Sequence, residues 1–315
     1  MTHISRKLRT KAVPWVAVLA VIGLAACGGG SGSTSSNPLG GGAAKGSVVI
    51  GSANFPESEL LAEIYALALS AKGVKVTDKF NIASREIYYP EVVRGAISIV
   101  PEYDGTLLTV AVDPKSTART MAQVNAALKS GLPSSVEILN SASATDSDSV
   151  TVTQAFASKY HLTSISQLQP LAKNMVFGGP PEFKTRSDGL AGLKANYGLV
   201  FKGFDALDES GPITLKALTT NQVQAADVFT TTPQILSDHL VVLSDPKANF
   251  AAQNVTPLVY KKAMTPTIVS TLNAISAQLT TNALLQMDNA VIVDHASYQI
   301  VAAAFLKSVG LPGGS

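Results

Sequence analysis

The chain has 315 residues, 46% of them hydrophobic, and 24 basic against 22 acidic side chains. This length and apolar content suit one large domain or two smaller ones with a sizeable buried core. No basic stripe runs along the sequence, which argues against nucleic acid as a partner.

The first 26 residues have the layout of a bacterial signal peptide. A basic stretch over 6–11 precedes an apolar run over 13–26, which is shorter than the roughly 20 residues of a membrane-spanning helix. The run ends in Leu-Ala-Ala-Cys and resembles a lipobox, in which the chain is cut before a cysteine that is then acylated. Cys27 is the only cysteine. We therefore expect a lipid on Cys27 that holds the protein on the extracytoplasmic face of the cell membrane.

Residues 27–46 are rich in Gly, Ser and Ala, a composition typical of a flexible tether. Strand and helix patterns alternate after it. Apolar runs predict strands at 48–51, 74–80, 97–100, 150–153, 175–178, 223–229, 240–243 and 255–259. Helical patterns occupy 56–73, 84–95 and the stretch after Asp188, with Asn54 and Ser84 as expected caps. The alternation predicts parallel sheets with helices on both faces.

The strands fall into two blocks, and the chain is helical after the last of them. We therefore predict a first lobe from 47–147 plus 250–315 and a second lobe from 148–249, with a cleft between them. Ligands in open α/β sheets bind at the carboxyl ends of the strands. These ends carry Ser52, Glu102 and Phe229.

Five segments, in chain order, resemble the ProX/OpuAC-like family, the osmoprotectant-binding subunits of ABC importers. They are 50–57 (IGSANFPE), 84–91 (SREIYYPE), 101–106 (PEYDGT), 177–190 (FGGPPEFKTRSDGL) and 228–232 (VFTTT). The resemblance implies a two-lobed α/β fold of the type II periplasmic-binding-protein kind. In that fold, two mixed sheets flanked by helices are joined by a hinge around a central cleft.

The resemblance also implies a monomer that binds glycine betaine, choline, carnitine or proline betaine and hands it to a membrane permease. It implies neither a cofactor nor a metal. A quaternary ammonium cannot donate hydrogen bonds, so the faces of aromatic rings hold it as a cation–π cage. The carboxylate at the other end of a betaine needs a forked cationic donor such as arginine.

The resemblance assigns roles to individual residues. Tyr89 matches a tyrosine of the family's cage, with Tyr88 beside it, and Phe229 stands where a second cage tyrosine usually lies. Arg186 matches the arginine that binds the carboxylate. An acid at the lobe crossing corresponds to Asp148, with Asp146 as the competing alignment. Further expected ligand contacts are Ser52, Asn54, Asp104, Thr106 and Thr230.

The chain also departs from the family pattern. Ala53 stands where many members carry lysine, and no aromatic residue occurs near Val150 or Gln253, where the family often supplies further cage walls. Two alternatives therefore stay open at this point. The same cleft binds a sugar, polyol or aromatic solute, or the chain is a surface receptor or adhesion module.

An enzyme is not expected. The histidines are His3, His161, His239 and His295, and none has the spacing of a metal-binding motif. The sequence has no Gly-x-Ser-x-Gly elbow, and its one cysteine is the expected lipid site.

Overall fold

The structure is a computed structural model and describes residues 47–314. The predicted signal peptide, Cys27 and the tether lie outside the described residues. No helix within 47–314 is both long and apolar enough to cross a membrane.

The described chain forms ten strands in two five-stranded sheets. The strands are β1 (Ser47–Gly51), β2 (Lys75–Lys79), β3 (Ile99–Tyr103), β4 (Val136–Ile138), β5 (Val150–Thr153), β6 (Val176–Gly179), β7 (Gly203–Ala206), β8 (Ala225–Asp227), β9 (Leu240–Val242) and β10 (Val255–Tyr260). The first lobe contains the sheet β2-β1-β3-β10-β4, and the second lobe contains the sheet β7-β6-β8-β5-β9.

The helices surround these sheets. They are α1 (Pro56–Ala71), α2 (Arg85–Val93), α3 (Asp104–Thr106), α4 (Met121–Gly131), α5 (Gln154–Tyr160), α6 (Leu190–Tyr197), α7 (Pro212–Thr219), α8 (Gln234–Ser237), α9 (Pro266–Gln278), α10 (Thr281–Asp288) and α11 (Tyr298–Ser308). Short 3-10 turns occupy Ile165–Leu168, Ala172–Asn174, Pro181–Lys184 and Lys261–Ala263, and wider π-helical turns occupy Leu107–Val112 and Asn289–Val293.

Both sheets are mixed, as the family resemblance implies, so the expectation of purely parallel sheets is wrong. β10 runs antiparallel to β3 and β4, and β5 runs antiparallel to β8 and β9. β5 and β10 are the first strands after the chain has passed from one lobe to the other. They are not entered through a strand–helix–strand crossover, which is the connection that parallel neighbours require.

Successive residues of a strand pack into hydrophobic cores on opposite faces of the sheet. In β3, Ile99 joins the apolar cluster around α1 and α11, whereas Val100 joins the cluster that contains Val92 and Leu107. Both side chains are fully buried. Burial of each such side chain contributes about 1.5–3 kcal/mol, and the two-sided core fixes the sheet as a rigid platform for the loops at its end.

Two segments connect the lobes, one between β4 and β5 and the other between β9 and β10. They run side by side: Thr145 and Asn254 form an antiparallel bridge, and the Asp146 N–H donates to the Gln253 carbonyl at 3.2 Å. Gly105 packs beneath the second segment, where a Cβ would lie only 2.2 Å from the Ala252 carbonyl oxygen. The paired segments form the hinge, and the lobe boundaries given above stay a prediction.

Two local predictions are wrong. Asn54 does not cap α1, because Phe55 occupies the N-cap position and no side chain caps this helix. β3 does not end at Val100 but continues through Pro101 to Tyr103. Proline interrupts most strands because it lacks an N–H, but Pro101 lies opposite Pro257 of β10. The Pro257 carbonyl accepts the Leu139 N–H on the far side of β10, so Pro101 and Pro257 form a pair that exchanges no hydrogen bonds and their missing N–H groups break none between these strands.

Candidate functional site

A narrow gap lies between the lobes at the carboxyl ends of β1, β3 and β8. Its volume is about 40 Å³. Ala53 reaches it just after β1, Thr106 one turn after β3, and Phe229 just after β8. This is where open α/β sheets bind ligands, because loops from several strands converge there.

Aromatic rings from both lobes line the gap: Phe55, Tyr88, Tyr103 and Phe229. The ring centroids of Phe55 and Phe229, which belong to opposite lobes, lie 5.2 Å apart with their planes at 68°. The rings of Phe55 and Tyr103 lie 5.9 Å apart. Several aromatic rings around one space are a setting that suits a cation, because ring faces attract positive charge without hydrogen bonds.

Arg85 lines the gap from the first lobe and is held by a buried carboxylate. Its Nε lies 3.0 Å from both carboxylate oxygens of Glu102, and its Nη2 lies 2.8 Å from Oε2. The Tyr88 hydroxyl donates to the same carboxylate at 2.9 Å. Glu102 is fully buried, so this triad positions both a guanidinium and an aromatic ring.

Arg186 lines the gap from the second lobe and bonds across it. Its Nε and Nη2 donate to the Glu86 carboxylate of α2 at 3.0 and 3.2 Å. Partial burial acts to raise the pKa of Glu86, but the hydrogen bonds and charge of Arg186 outweigh it and lower that pKa to about 2. A second carboxylate, Glu182, lies 3.8 Å from Arg186. This fork is the geometry with which arginine binds a carboxylate.

Acidic groups lie beside the two guanidinium groups. Burial and the charge of Asp188 raise the pKa of Asp148 to about 6, although Arg186 and Arg85 act in the opposite direction. Burial and contact with Glu182 raise the pKa of Glu209 to about 8. Both acids line the gap, which is therefore a mixture of rings, cations and carboxyl groups rather than an apolar pocket.

A larger space, here called the side cleft, adjoins the gap and has a volume of about 860 Å³. The gap and the side cleft share the lining residues Phe55, Ser84, Asp146, Glu209 and Phe229. Apolar and acidic side chains form much of the remaining wall. The two spaces are therefore neighbours that meet at these five side chains.

The structure brings six of the predicted ligand contacts to the gap: Tyr88, Thr106, Asp146, Asp148, Arg186 and Phe229. Asn54 lies instead on the side cleft. Of the two neighbouring tyrosines, Tyr88 points inward to Glu102, whereas Tyr89 packs half-buried beside the apolar cluster of the first lobe. A helix turns about 100° per residue, so Tyr88 and Tyr89 point in different directions. Of the two, Tyr88 is the one that lines the gap.

Three other predicted contacts have structural partners and do not line the gap. The Ser52 hydroxyl donates to the Ala53 carbonyl and accepts the Asn81 N–H. Asp104 Oδ1 accepts the Asn254 N–H at 2.7 Å, which ties β3 to the hinge. The hydroxyl of Thr230 accepts the N–H of Ser147 and donates to Asp146. These side chains shape the loops and the hinge around the gap.

Seven residues that line the gap were not among the predicted contacts: Ala53, Phe55, Ser84, Arg85, Tyr103, Glu209 and Gln253. Phe55 and Tyr103 lie inside segments that resemble the family and at the ends of predicted strands, so their position was an available signal. Gln253 holds Thr106 through two hydrogen bonds, at 2.9 and 2.5 Å. No local pattern identifies that pairing, because the two residues are 147 positions apart in the chain.

Residues 46–308 match the OpuAC family, described as the substrate-binding domain of the ABC-type glycine betaine transport system. The chain belongs to this family. Members are extracytoplasmic solute-binding proteins of ABC importers, and the family is not one of enzymes. Residues 46–308 are accordingly a substrate-binding domain of the ABC-transporter kind, with a two-lobed fold of the type II periplasmic-binding-protein kind.

A curated relative is the "Ergothioneine transport permease/ergothioneine binding protein EgtU" of Helicobacter pylori (strain G27). It is 26% identical over 272 residues, which cover 82% of this chain and 47% of the relative. The chain thus spans about half the length of that relative.

Two solved structures of related proteins share the fold. A glycine betaine/carnitine/choline ABC transporter protein has a TM-score of 0.64 at 23% identity, covering 83% of this chain and 98% of that one. An ABC-transporter choline-binding protein in complex with choline has a TM-score of 0.63 at 15% identity, covering 84% and 89%. At these identities the likeness concerns the fold.

Proposed function

We propose that this OpuAC-family protein is a lipoprotein that captures a quaternary-ammonium solute and delivers it to the permease of an ABC importer. Glycine betaine, choline, carnitine and proline betaine are the osmoprotectants that the family suggests. Ergothioneine, named for the H. pylori relative, belongs to the same chemical class because it carries a trimethylammonium group and a carboxylate.

The observation that carries the proposal is the set of four rings around the gap, with two guanidinium groups beside them. The rings suit the trimethylammonium group, which cannot donate a hydrogen bond. Arg186 suits the carboxylate, since it already holds the Glu86 carboxylate through a forked pair of hydrogen bonds. A solute carboxylate competes with Glu86 for this guanidinium.

Lobe movement completes the proposal. A water-sized sphere occupies roughly 10–15 Å³, so a gap of about 40 Å³ holds only a few waters. A betaine enters when the lobes separate at the hinge and is enclosed when they close. In the closed form, the Thr109 hydroxyl of the first lobe donates to Asp188 Oδ2 of the second lobe at 2.7 Å and so joins the two lobes. Solute favours closure because it contacts both lobes at once.

Binding calorimetry tests the class of solute. The panel contains glycine betaine, choline, carnitine, proline betaine, ergothioneine, a sugar, a polyol and an aromatic acid. We expect binding of at least one quaternary-ammonium compound. Loss of one cage ring costs about 0.5–2 kcal/mol, so Phe229→Ala should weaken binding roughly two- to thirtyfold. Tyr89→Ala is the matched control and should change affinity less than twofold. Binding of only the sugar, polyol or aromatic acid would refute the proposal.

Lipid attachment is tested separately in cells. We expect the wild-type protein in the membrane fraction and the Cys27→Ser variant in the soluble extracytoplasmic fraction, because one modified cysteine supplies the anchor. Equal distribution of the two proteins would contradict the lipoprotein assignment while leaving the solute assignment untouched.

A further inference from the structure

Three buried carboxyl groups, here called the acid cluster, lie together on the wall of the side cleft: Glu57, Asp146 and Asp288. They come from separate elements, namely the first turn of α1, the first hinge segment and the last residue of α10. Each is at most 5% exposed. The fold thus gathers three acids from distant positions at one place, and only Asp146 among them also lines the gap.

Hydrogen bonds hold two of these acids in place. Thr231 of the second lobe donates its hydroxyl to Glu57 Oε2 at 2.8 Å and its N–H to Asp146 Oδ1 at 3.0 Å. The Tyr103 hydroxyl donates to Glu57 Oε1 at 2.5 Å. The third acid, Asp288, is in hydrogen-bond contact with Glu57 and Thr231, but its Oδ1 is buried without any hydrogen-bond partner. An acceptor left unpaired at a cleft wall costs about 1–3 kcal/mol unless something brought into the cleft satisfies it.

The acid cluster has no ion-pair partner among the residues that the structure describes. Within 47–314, no salt bridge includes any of its three members. Burial, followed by repulsion from neighbouring acids, raises the pKa of Glu57 and of Asp146, and burial raises the pKa of Asp288 to about 7. The described residues contain no group of three or more side chains arranged to hold a metal ion. An N–H or O–H group of an organic solute supplies the donor that Asp288 Oδ1 lacks.

The side cleft has room for such a donor. Its 860 Å³ far exceeds the space that a small betaine needs, and it meets the gap at Phe55, Asp146 and Phe229. Leu207 and Leu215 of the second lobe supply apolar wall. A solute whose quaternary ammonium lies among the rings can direct a longer side group past Phe55 and Phe229 toward the acids.

We propose that the acid cluster is a second recognition point of the solute site, and that it accepts hydrogen bonds from an N–H-bearing side group of an extended betaine. This inference rests on the proposed function and narrows its substrate class. The preferred solute is a betaine derived from an amino acid whose side chain carries an amine or an N–H heteroaromatic ring. Glycine betaine occupies only the gap and makes no use of Asp288.

Calorimetry with two probes tests the inference. Ergothioneine carries N–H groups on its ring, whereas glycine betaine has no side group. We expect the wild-type protein to bind ergothioneine at least tenfold more tightly than glycine betaine. Asp288→Ala should weaken ergothioneine binding at least tenfold and change glycine betaine binding less than twofold. Asp238→Ala, which removes an exposed acid from the rim of the same cleft, should leave both affinities within twofold.

Asp288→Asn guards against a folding defect in the alanine variant, since it keeps the shape and one neutral acceptor. It should weaken ergothioneine binding at least threefold, with melting temperatures measured in parallel. Equal weakening of both probes, no weakening of ergothioneine, or binding of glycine betaine alone would each overturn the inference and leave the proposed function standing. If neither probe nor any other quaternary-ammonium compound binds, the proposed function itself fails.

Discussion

The two lobes each present an arginine to the gap, but they hold it in different ways. Arg85 of the first lobe is bound by Glu102 of the same lobe, and both side chains are buried. Arg186 of the second lobe is bound by Glu86 of the opposite lobe, whose side chain is 40% exposed. When the lobes separate, the first pair can persist, whereas the second must break.

This difference indicates that the two lobes have different roles in binding. The first lobe offers a fixed wall, in which Glu102 positions both Arg85 and Tyr88. In the function proposed above, Arg186 of the second lobe is an adjustable contact that exchanges Glu86 for the carboxylate of a solute. A pre-organised wall lowers the entropic cost of binding, and an exchangeable contact couples binding to closure.

The largest effect should follow from breaking the fixed pair. Arg85→Met leaves the fully buried Glu102 carboxylate without its counterion, which costs about 3–5 kcal/mol. Chemical denaturation should show this loss in the free energy of unfolding. Arg94→Met removes an arginine from the exposed pair with Glu91 at the end of the same helix and should cost at most about 1 kcal/mol.

The double variant Arg85→Met with Glu102→Gln sharpens this test. It removes the orphaned charge and should recover most of the lost stability. Equal, small effects of Arg85→Met and Arg94→Met would show that the first lobe is no more rigidly held than the surface.

A smaller effect on stability, but a clear one on binding, should follow from Arg186→Ala. We expect at least a tenfold loss of affinity for glycine betaine, about 1.4 kcal/mol, because the carboxylate loses its forked donor. Choline has no carboxylate and should be affected less. Lys184→Ala is the control, since Lys184 is exposed close by in the chain. Calorimetry that finds equal losses for choline and glycine betaine would contradict the role of Arg186.

The smallest expected effect is on the pH dependence of stability, through Asp104, which accepts the Asn254 N–H at the hinge. Burial raises the pKa of Asp104 to about 7, and its Oδ2 has no partner. The folded protein keeps this proton up to about pH 7, whereas the unfolded chain releases it near pH 4. Stability from this group is therefore present below pH 4 and is lost as pH rises to 7.

Asp104→Asn keeps an acceptor for the Asn254 N–H and removes the charge. It should raise the melting temperature at pH 8 by about 2–4 °C and raise it less at pH 5. Asp294→Asn, at an exposed position, should change neither value. A larger gain at pH 5 than at pH 8 would show that the sign is wrong.

The sequence indicated most of the fold because the relevant patterns are local. Apolar runs marked β1, β5 and β10 closely, and proline and glycine marked the ends of α1. The antiparallel strands were not indicated, since strand direction depends on where the chain crosses between lobes. The extension of β3 through Pro101 depended on its register with β10, whose Pro257 lies opposite it and more than 150 positions later.

The candidate site was only partly predictable. Arg186 and Phe229 could be placed by resemblance, because short motifs surround them. The choice between Tyr88 and Tyr89 depended on helix rotation, which a motif does not fix. The acid cluster had no sequence signal, since Glu57, Asp146 and Asp288 meet only after both hinge segments and the C-terminal helices have packed.

The most direct test of the account compares glycine betaine with its uncharged carbon isostere, in which a tert-butyl group replaces the trimethylammonium group. The two molecules have nearly the same shape and the same carboxylate, so only the cation differs. Calorimetry should show that the isostere binds at least tenfold more weakly, since the rings of Phe55, Tyr88, Tyr103 and Phe229 attract positive charge. Equal affinities would contradict a cation-binding gap.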